Sequence, residues 1–117
     1  MTDKKELKKQ YKQTVQPMGV YQIRNLINGK IFLGSAKNLQ AKLNSNKFQL
    51  DHGAHMNSEL QKDYSELGEK NFAFEIVDYL KPKEEAGYDY TEDLTVLEEM
   101  WLEKLQPYEE KGYNRRK

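Results

Sequence analysis

Residues 19–38 read GVYQIRNLINGKIFLGSAKN, two short apolar runs on either side of Asn28-Gly29. Asn-Gly is the strongest short signal for a β-hairpin, because both central positions of the matching tight turn need positive φ. Such a pair sets two strands antiparallel and sorts alternate residues onto opposite faces. With Asn28 and Gly29 as the loop, facing residues sum to 57, so Asn25 opposes Phe32 and Ile23 opposes Gly34. Tyr21 then shares a face with Ile23, Asn25 and Phe32. A longer loop, such as 26–30, would change that register. At the far ends of the strands stand Gly19-Val20-Tyr21 and Phe32-Leu33-Gly34, an aromatic and a glycine in each.

The remaining elements follow from periodicity. Leu7, Tyr11 and Val15 form a narrow stripe on a lysine-rich helix over 3–15, ended by Pro17. Asn38 suits the N-cap of a helix over 39–50 with the stripe Leu39, Leu43, Asn46 and Leu50. A second helix, capped by Asn57 or Ser58, carries Leu60, Tyr64 and Leu67, and Gly68 suits its end. In NFAFEIVDYL, Phe72, Phe74 and Ile76 alternate as in a half-buried strand. Pro82 and Gly87 mark 81–90 as a loop. A last helix runs from about 92 to 105, capped by Thr91 or Asp89 and stopped before Pro107. The expected fold is α/β (α+β): a small, mainly antiparallel three-stranded sheet flanked by helices, with an extra N-terminal helix.

A chain of 117 residues suits one domain with one modest core. Without cysteine, disulfides and thiolate metal sites are excluded. No apolar run approaches the roughly 20 residues of a membrane span, and the basic start lacks the apolar centre of a signal peptide, so a cytoplasmic protein is expected. Net charge is zero, yet residues 1–50 hold 10 Lys+Arg against 2 Asp+Glu and residues 51–117 hold 9 against 17. Either the basic half turns to a phosphate backbone, or the halves interleave and the charges pair; the modest overall pI favours the second.

Polar residues on apolar stripes are more informative. At 100° per residue Leu94, Leu97, Trp101 and Leu105 cluster on the last helix, and Glu98 falls among them. A carboxylate at a core edge is costly unless something meets it: a divalent metal, a lysine or a tyrosine hydroxyl, with a structural partner the commoner case. Asn46 interrupts the 39–50 stripe, with Lys42 one turn earlier. A core amide and a snorkelling lysine would explain these two. Together with Glu98 and Tyr21 they also make a polar pocket of one carboxylate, one cation, one phenol and one amide.

These residues resemble the GIY-YIG nuclease superfamily, named for two tripeptides at the ends of a hairpin. Here they are Gly19-Val20-Tyr21 and Phe32-Leu33-Gly34, ten residues apart. GSAKNL, HMNSELQKDYSELGEKNFAFEIV, LEEMWLEKLQPY and GYN also resemble family segments, over about residues 19–114. The resemblance divides the chain into a basic N-terminal helix (1–18), the domain (19–114) and a tail (115–117). It implies phosphodiester cleavage with one divalent ion, Mg²⁺ or Mn²⁺, held by Glu98, with Tyr21 helping to deprotonate the attacking water. The phosphate-binding arginine maps onto Lys42, the second tyrosine onto Phe32, a frequent histidine onto Asn46 and the terminal asparagine onto Asn114. Gly34 lets backbone or phosphate approach. Phe32 lacks the hydroxyl, Lys42 lacks the two-pronged grip on phosphate, and Asn46 cannot shuttle a proton. His52 and His55 are expected to be surface loop residues.

Three functions compete. The first is a metal-dependent DNA endonuclease weakened by these substitutions. The second is a catalytically inactive nucleic-acid-binding module, with Arg24, Lys30, Lys37 and Lys47, and Lys4, Lys5, Lys8, Lys9 and Lys12 of the first helix, facing the backbone. The third is a protein-interaction module using the acidic half, which has only charge in its favour. DNA is the expected partner, RNA remains open, and a lone catalytic domain usually needs a targeting domain or partner protein.

Overall fold

The computed structural model describes residues 16–116, and the lysine-rich helix expected over 3–15 lies outside them. The elements are β1 (Gly19–Asn25), β2 (Ile31–Ala36), α1 (Leu39–Asp51), α2 (Ser58–Leu67), β3 (Phe72–Tyr79) and α3 (Thr91–Leu105), with 3-10 turns at Glu69–Asn71 and Glu109–Lys111. The sheet order is β2-β1-β3, both pairings antiparallel, so β1 is central.

The hairpin forms, in the longer-loop register. Ile23 opposes Phe32 and Tyr21 opposes Gly34, so facing residues sum to 55 rather than 57. The cause is Asn25, whose buried Oδ1 accepts from the N–H groups of Ile27 (2.9 Å) and Asn28 (3.4 Å). Its backbone carbonyl accepts from Gly29 N–H at 2.8 Å, closing a loop of residues 26–30. Gly29 takes the left-handed φ of 79° there. The slip is two residues, an even number, so Tyr21, Ile23, Asn25 and Phe32 still share a face.

Side-chain caps start two of the helices: Asn38 accepts from Ala41 N–H at 3.1 Å and Asn57 from Leu60 N–H at 3.0 Å. At α3 the N-cap is Tyr90, without a side-chain cap bond, rather than Thr91 or Asp89; one residue earlier Asp89 accepts from Thr91 N–H (3.0 Å) and Thr91 Oγ1 (2.7 Å). The expected α1 stripe is the buried one: Leu39, Leu43, Asn46 and Leu50. Leu50, Leu60, Tyr64, Phe72 and Tyr113 close over Ile23, while Leu39 and Leu43 close over Tyr21.

The opposite face carries α3. Ser35 and Asp78 both oppose Val20, on the side away from Tyr21. Their side chains meet Glu98 and Trp101 of α3. The outer edge of β2 is covered by the C-terminal segment: Tyr113 N–H donates to Ile31 carbonyl at 2.9 Å. Asn114 brackets Leu33, accepting from its N–H at 2.8 Å and donating to its carbonyl at 2.9 Å. An edge so paired offers no free ladder to another strand. No helix among the described residues is long and apolar enough to cross a membrane.

Candidate active site

Tyr21 and Glu98 start from opposite faces of the sheet and are drawn to neighbouring residues of β2. The Tyr21 ring lies across Gly34: a Cβ there would stand 2.5 Å from the phenolic oxygen and 2.7 Å from Cζ. Only glycine leaves room for the phenol to reach the edge strand, which is why the second tripeptide ends as it does. Gly19 serves the other side, where a Cβ would stand 2.1 Å from the Asp78 carbonyl of β3. Glu98 Oε1 accepts from Ser35 Oγ at 2.5 Å. The carboxylate thus has a hydroxyl partner, though from a serine rather than the lysine or tyrosine expected. The two groups feel each other. Burial pushes the Tyr21 phenol above its usual range, the Glu98 charge adds to that, and a hydrogen bond from Asn46 opposes both.

Gly34→Ala is accordingly expected to cost about 1–3 kcal/mol, the usual range for overpacking a filled site. A urea-denaturation midpoint measures it, and an unchanged midpoint would mean that the phenol is free to move aside.

Around Tyr21 runs a buried polar chain. Asn46 Nδ2 stands 3.4 Å from Tyr21 Oη and 2.8 Å from the Lys42 carbonyl oxygen. Its Oδ1 is 2.6 Å from His55 Nε2, and His55 Nδ1 accepts from the backbone N–H of Asn57 at 3.0 Å. His55 is therefore not the surface residue expected from a loop position: it is only 8% exposed, and Phe32 packs edge-on against its ring, centroids 5.4 Å apart. His52 does lie at the surface, stacked on Phe48. Burial, and then the charge of Lys42, hold His55 below the usual imidazole range.

That depression carries a sign. The native state resists a proton that the unfolded chain accepts near pH 6.5. Stability is therefore full above about pH 6.5 and falls as pH drops towards the lower native value, by at most about 1.4 kcal/mol per pH unit. Denaturation midpoints between pH 7.5 and 5 should show this slope in the wild type and lose it in His55→Gln.

Lys42 and Lys37 line an open cavity of about 400 Å³ with Ser35, Asn38 and Ser45, at the start of α1. Lys42 makes no ion pair among the described residues, while Lys37 stands 3.7 Å from Asp89. A second cavity of about 450 Å³ is lined by Glu98, Glu99 and Glu103 together with Asn114, Arg115 and Arg116. Arg24, Lys47 and Lys30, also expected at a DNA backbone, each meet another side chain. Arg24 grips both oxygens of Glu75 at 2.9 Å, on the face away from Tyr21, and with Gln22 pulls that carboxyl down to about 2. Lys47 stands 3.0 Å from both Asp51 and Glu69, and Lys30 lies over the Tyr113 ring at 5.4 Å.

The structure thus joins Tyr21 to Gly34 and to Asn46, and Asn46 to the Lys42 carbonyl, while Glu98 bonds Ser35 across the sheet, Phe32 packs on His55 and Asn114 buttresses β2 from outside. Sequence reasoning missed Ser35, His55 and the scaffold of Asn25, Asn57 and Tyr113. In that scaffold Asn25 Nδ2 donates to Tyr113 Oη (3.0 Å) and Asn57 Nδ2 to the Tyr113 carbonyl (2.8 Å). An amide on an apolar stripe implies a buried partner, and that signal at Asn46 could have pointed to His55.

The model of the GIY-YIG catalytic domain matches residues 17–114. Intron-associated endonuclease 1 of Enterobacteria phage T4 is 29% identical over 97 residues, covering 82% of this chain and 36% of that protein. The chain thus spans about a third of that relative's length. The solved catalytic domain of homing endonuclease I-TevI superposes with a TM-score of 0.69 at 27% identity, over 86% of this chain and 99% of that one. A point mutant of the same catalytic domain gives 0.69 at 26% identity, over 85% and 93%. With its hairpin, edge glycine and helix glutamate arranged in this way, the chain belongs to the GIY-YIG catalytic-domain family.

Proposed function

We propose that the domain cleaves DNA phosphodiesters with the help of one divalent cation held by Glu98. The reading rests on one observation: Tyr21, stretched over Gly34, and Glu98, on Ser35, reach adjacent residues of the same edge strand.

The donor set suits a particular kind of ion. Among the described residues no group of three or more His, Cys, Asp or Glu side chains could hold a metal. The amide of Asn114 is taken up by Leu33. What remains is Glu98, in the wall of a cavity that Glu99 and Glu103 also line. Mg²⁺, which keeps several waters and uses one or two carboxylates together with substrate phosphate, fits such a site, and Mn²⁺ shares its preference for oxygen ligands. When bound, the ion would supply positive charge next to the scissile phosphate and the attacking water. Tyr21 would orient that water and take its proton. The ionised phenol this requires is disfavoured by burial and by Glu98 and favoured by the Asn46 N–H. Lys42 would meet the phosphate charge as a point charge, without the fork of a guanidinium. With Phe32 lacking a hydroxyl and Asn46 unable to shuttle a proton, turnover would be slow.

Nicking of supercoiled plasmid that appears with Mg²⁺ or Mn²⁺ and stops on chelation supports this reading, and metal-independent cleavage overturns it. Phe32 and Asn46 also favour a second reading, DNA binding without cleavage. In that case a mobility shift that weakens steeply with salt would accompany an absence of nicking at high protein concentration.

A further inference from the structure

Two backbone groups decide which way the Asn46 amide faces, and through it where Tyr21 can send its own proton. The backbone N–H of Asn57 can only donate, and it lies 3.0 Å from His55 Nδ1. That nitrogen is therefore the acceptor, and in the neutral ring the proton sits on Nε2. His55 Nε2, now a donor, is 2.6 Å from one end of the Asn46 amide, so that end is the oxygen. At the other end the Lys42 carbonyl oxygen, which can only accept, lies at 2.8 Å, so that end is the NH₂. The assignments from the two ends agree, which is the test an amide orientation has to pass. One amide hydrogen serves Lys42, and the second points at Tyr21 Oη, 3.4 Å away. That end of the Asn46 amide itself carries only donors. The phenol takes a hydrogen bond from the amide, and its own O–H has to turn away from that NH₂ group.

We propose that Asn46 is a positioning residue for Tyr21, its amide locked by His55, and that the pair keeps the phenolic proton turned away from the amide. The orientation rests on hydrogen bonds alone; its catalytic use rests on the nuclease reading above. Asn46 is the position at which the resemblance places a histidine. An imidazole there can switch between donor and acceptor, and a carboxamide held at both ends cannot. The cost of this arrangement is a second buried polar residue, His55, in the neutral form.

Two measurements test it. The first needs no activity. Long-range ¹⁵N–¹H spectra of the histidine side chains distinguish the two neutral tautomers, and the wild type at pH 7.5 should show His55 protonated on Nε2. A proton on Nδ1 would leave the Asn57 N–H facing another donor and overturn the inference. The second compares wild type, Asn46→Leu and Asn46→Asp in Mn²⁺-supported plasmid nicking. Leucine offers Tyr21 no hydrogen bond, and aspartate offers only acceptors, which draw the phenolic proton inward. Both variants should lose about tenfold in kcat, the rate equivalent of one neutral hydrogen bond, with KM for DNA within about twofold. Wild-type kcat in Asn46→Asp, or a loss confined to KM, would overturn the inference. If the wild type itself nicks no plasmid with either ion, the nuclease reading fails, and the tautomer still decides the orientation of the amide.

Discussion

Glu98→Gln is expected to reduce metal-supported nicking by at least about 10³-fold while leaving the fold intact. The magnitude combines loss of the charge that would hold a divalent cation with loss of the transition-state stabilisation such a charge supplies, a single element of which is commonly worth about 10²–10³. The fold should survive because glutamine keeps an acceptor for Ser35 Oγ, the only hydrogen bond recorded at that carboxylate among the described residues. The substitution also separates two explanations. The negative charge of Glu98 makes Tyr21 harder to ionise, so its removal eases formation of the phenolate. A fall in activity would therefore run against the change at Tyr21 and has to come from the missing carboxylate. The checks are plasmid nicking with Mg²⁺ and with Mn²⁺, and a thermal midpoint by circular dichroism. Activity within tenfold of wild type would remove Glu98 from the chemistry.

Much of the fold could be read from local chemistry. Asn38 and Asn57 announced their helices, the α1 stripe was the buried one, and Phe72 and Phe74 lie towards the core as their alternation implied, while Ile76, the third of that alternation, is exposed. These are short-range signals, decided within a turn or two of chain. The hairpin register was harder because it depended on Asn25, whose side chain becomes a loop acceptor only once Tyr113, 88 residues later, buries it. The site shows the same division. Glu98 and Asn46 stood out because each broke an apolar stripe. Their partners did not, since Ser35 and His55 look unremarkable until the sheet and α1 bring them within reach. Nor could the sequence reveal that Tyr21 and Glu98 approach from opposite faces. Strand parity places Ser35 away from Tyr21, and only the absence of a side chain at Gly34 lets the two groups share one edge. The pairing of Arg24 with Glu75 and of Lys47 with Glu69 was hidden for a related reason: the partners lie 51 and 22 residues away.

Lys42 gives the second large effect, and its two substitutions should move in opposite directions. Lys42→Ala is expected to lower kcat by about 10²–10³, the usual loss when one group that stabilises developing charge is removed. Lys42→Arg is expected to raise it severalfold, because a guanidinium can hold two phosphate oxygens at once. The site has room for the longer side chain: Lys42 lines an open cavity of about 400 Å³. A lysine that merely held the DNA backbone would behave differently. Its loss would appear in KM and would flatten the salt dependence by about one unit of slope, with kcat unchanged. His55 provides an internal control, since the Lys42 charge is one of the two influences that depress its titration. In Lys42→Ala the His55 midpoint should move up towards the ordinary imidazole range, and in Lys42→Arg it should stay low. An alanine variant with a relaxed His55 midpoint and an undiminished kcat would show that the charge is present at the site and unused in the reaction.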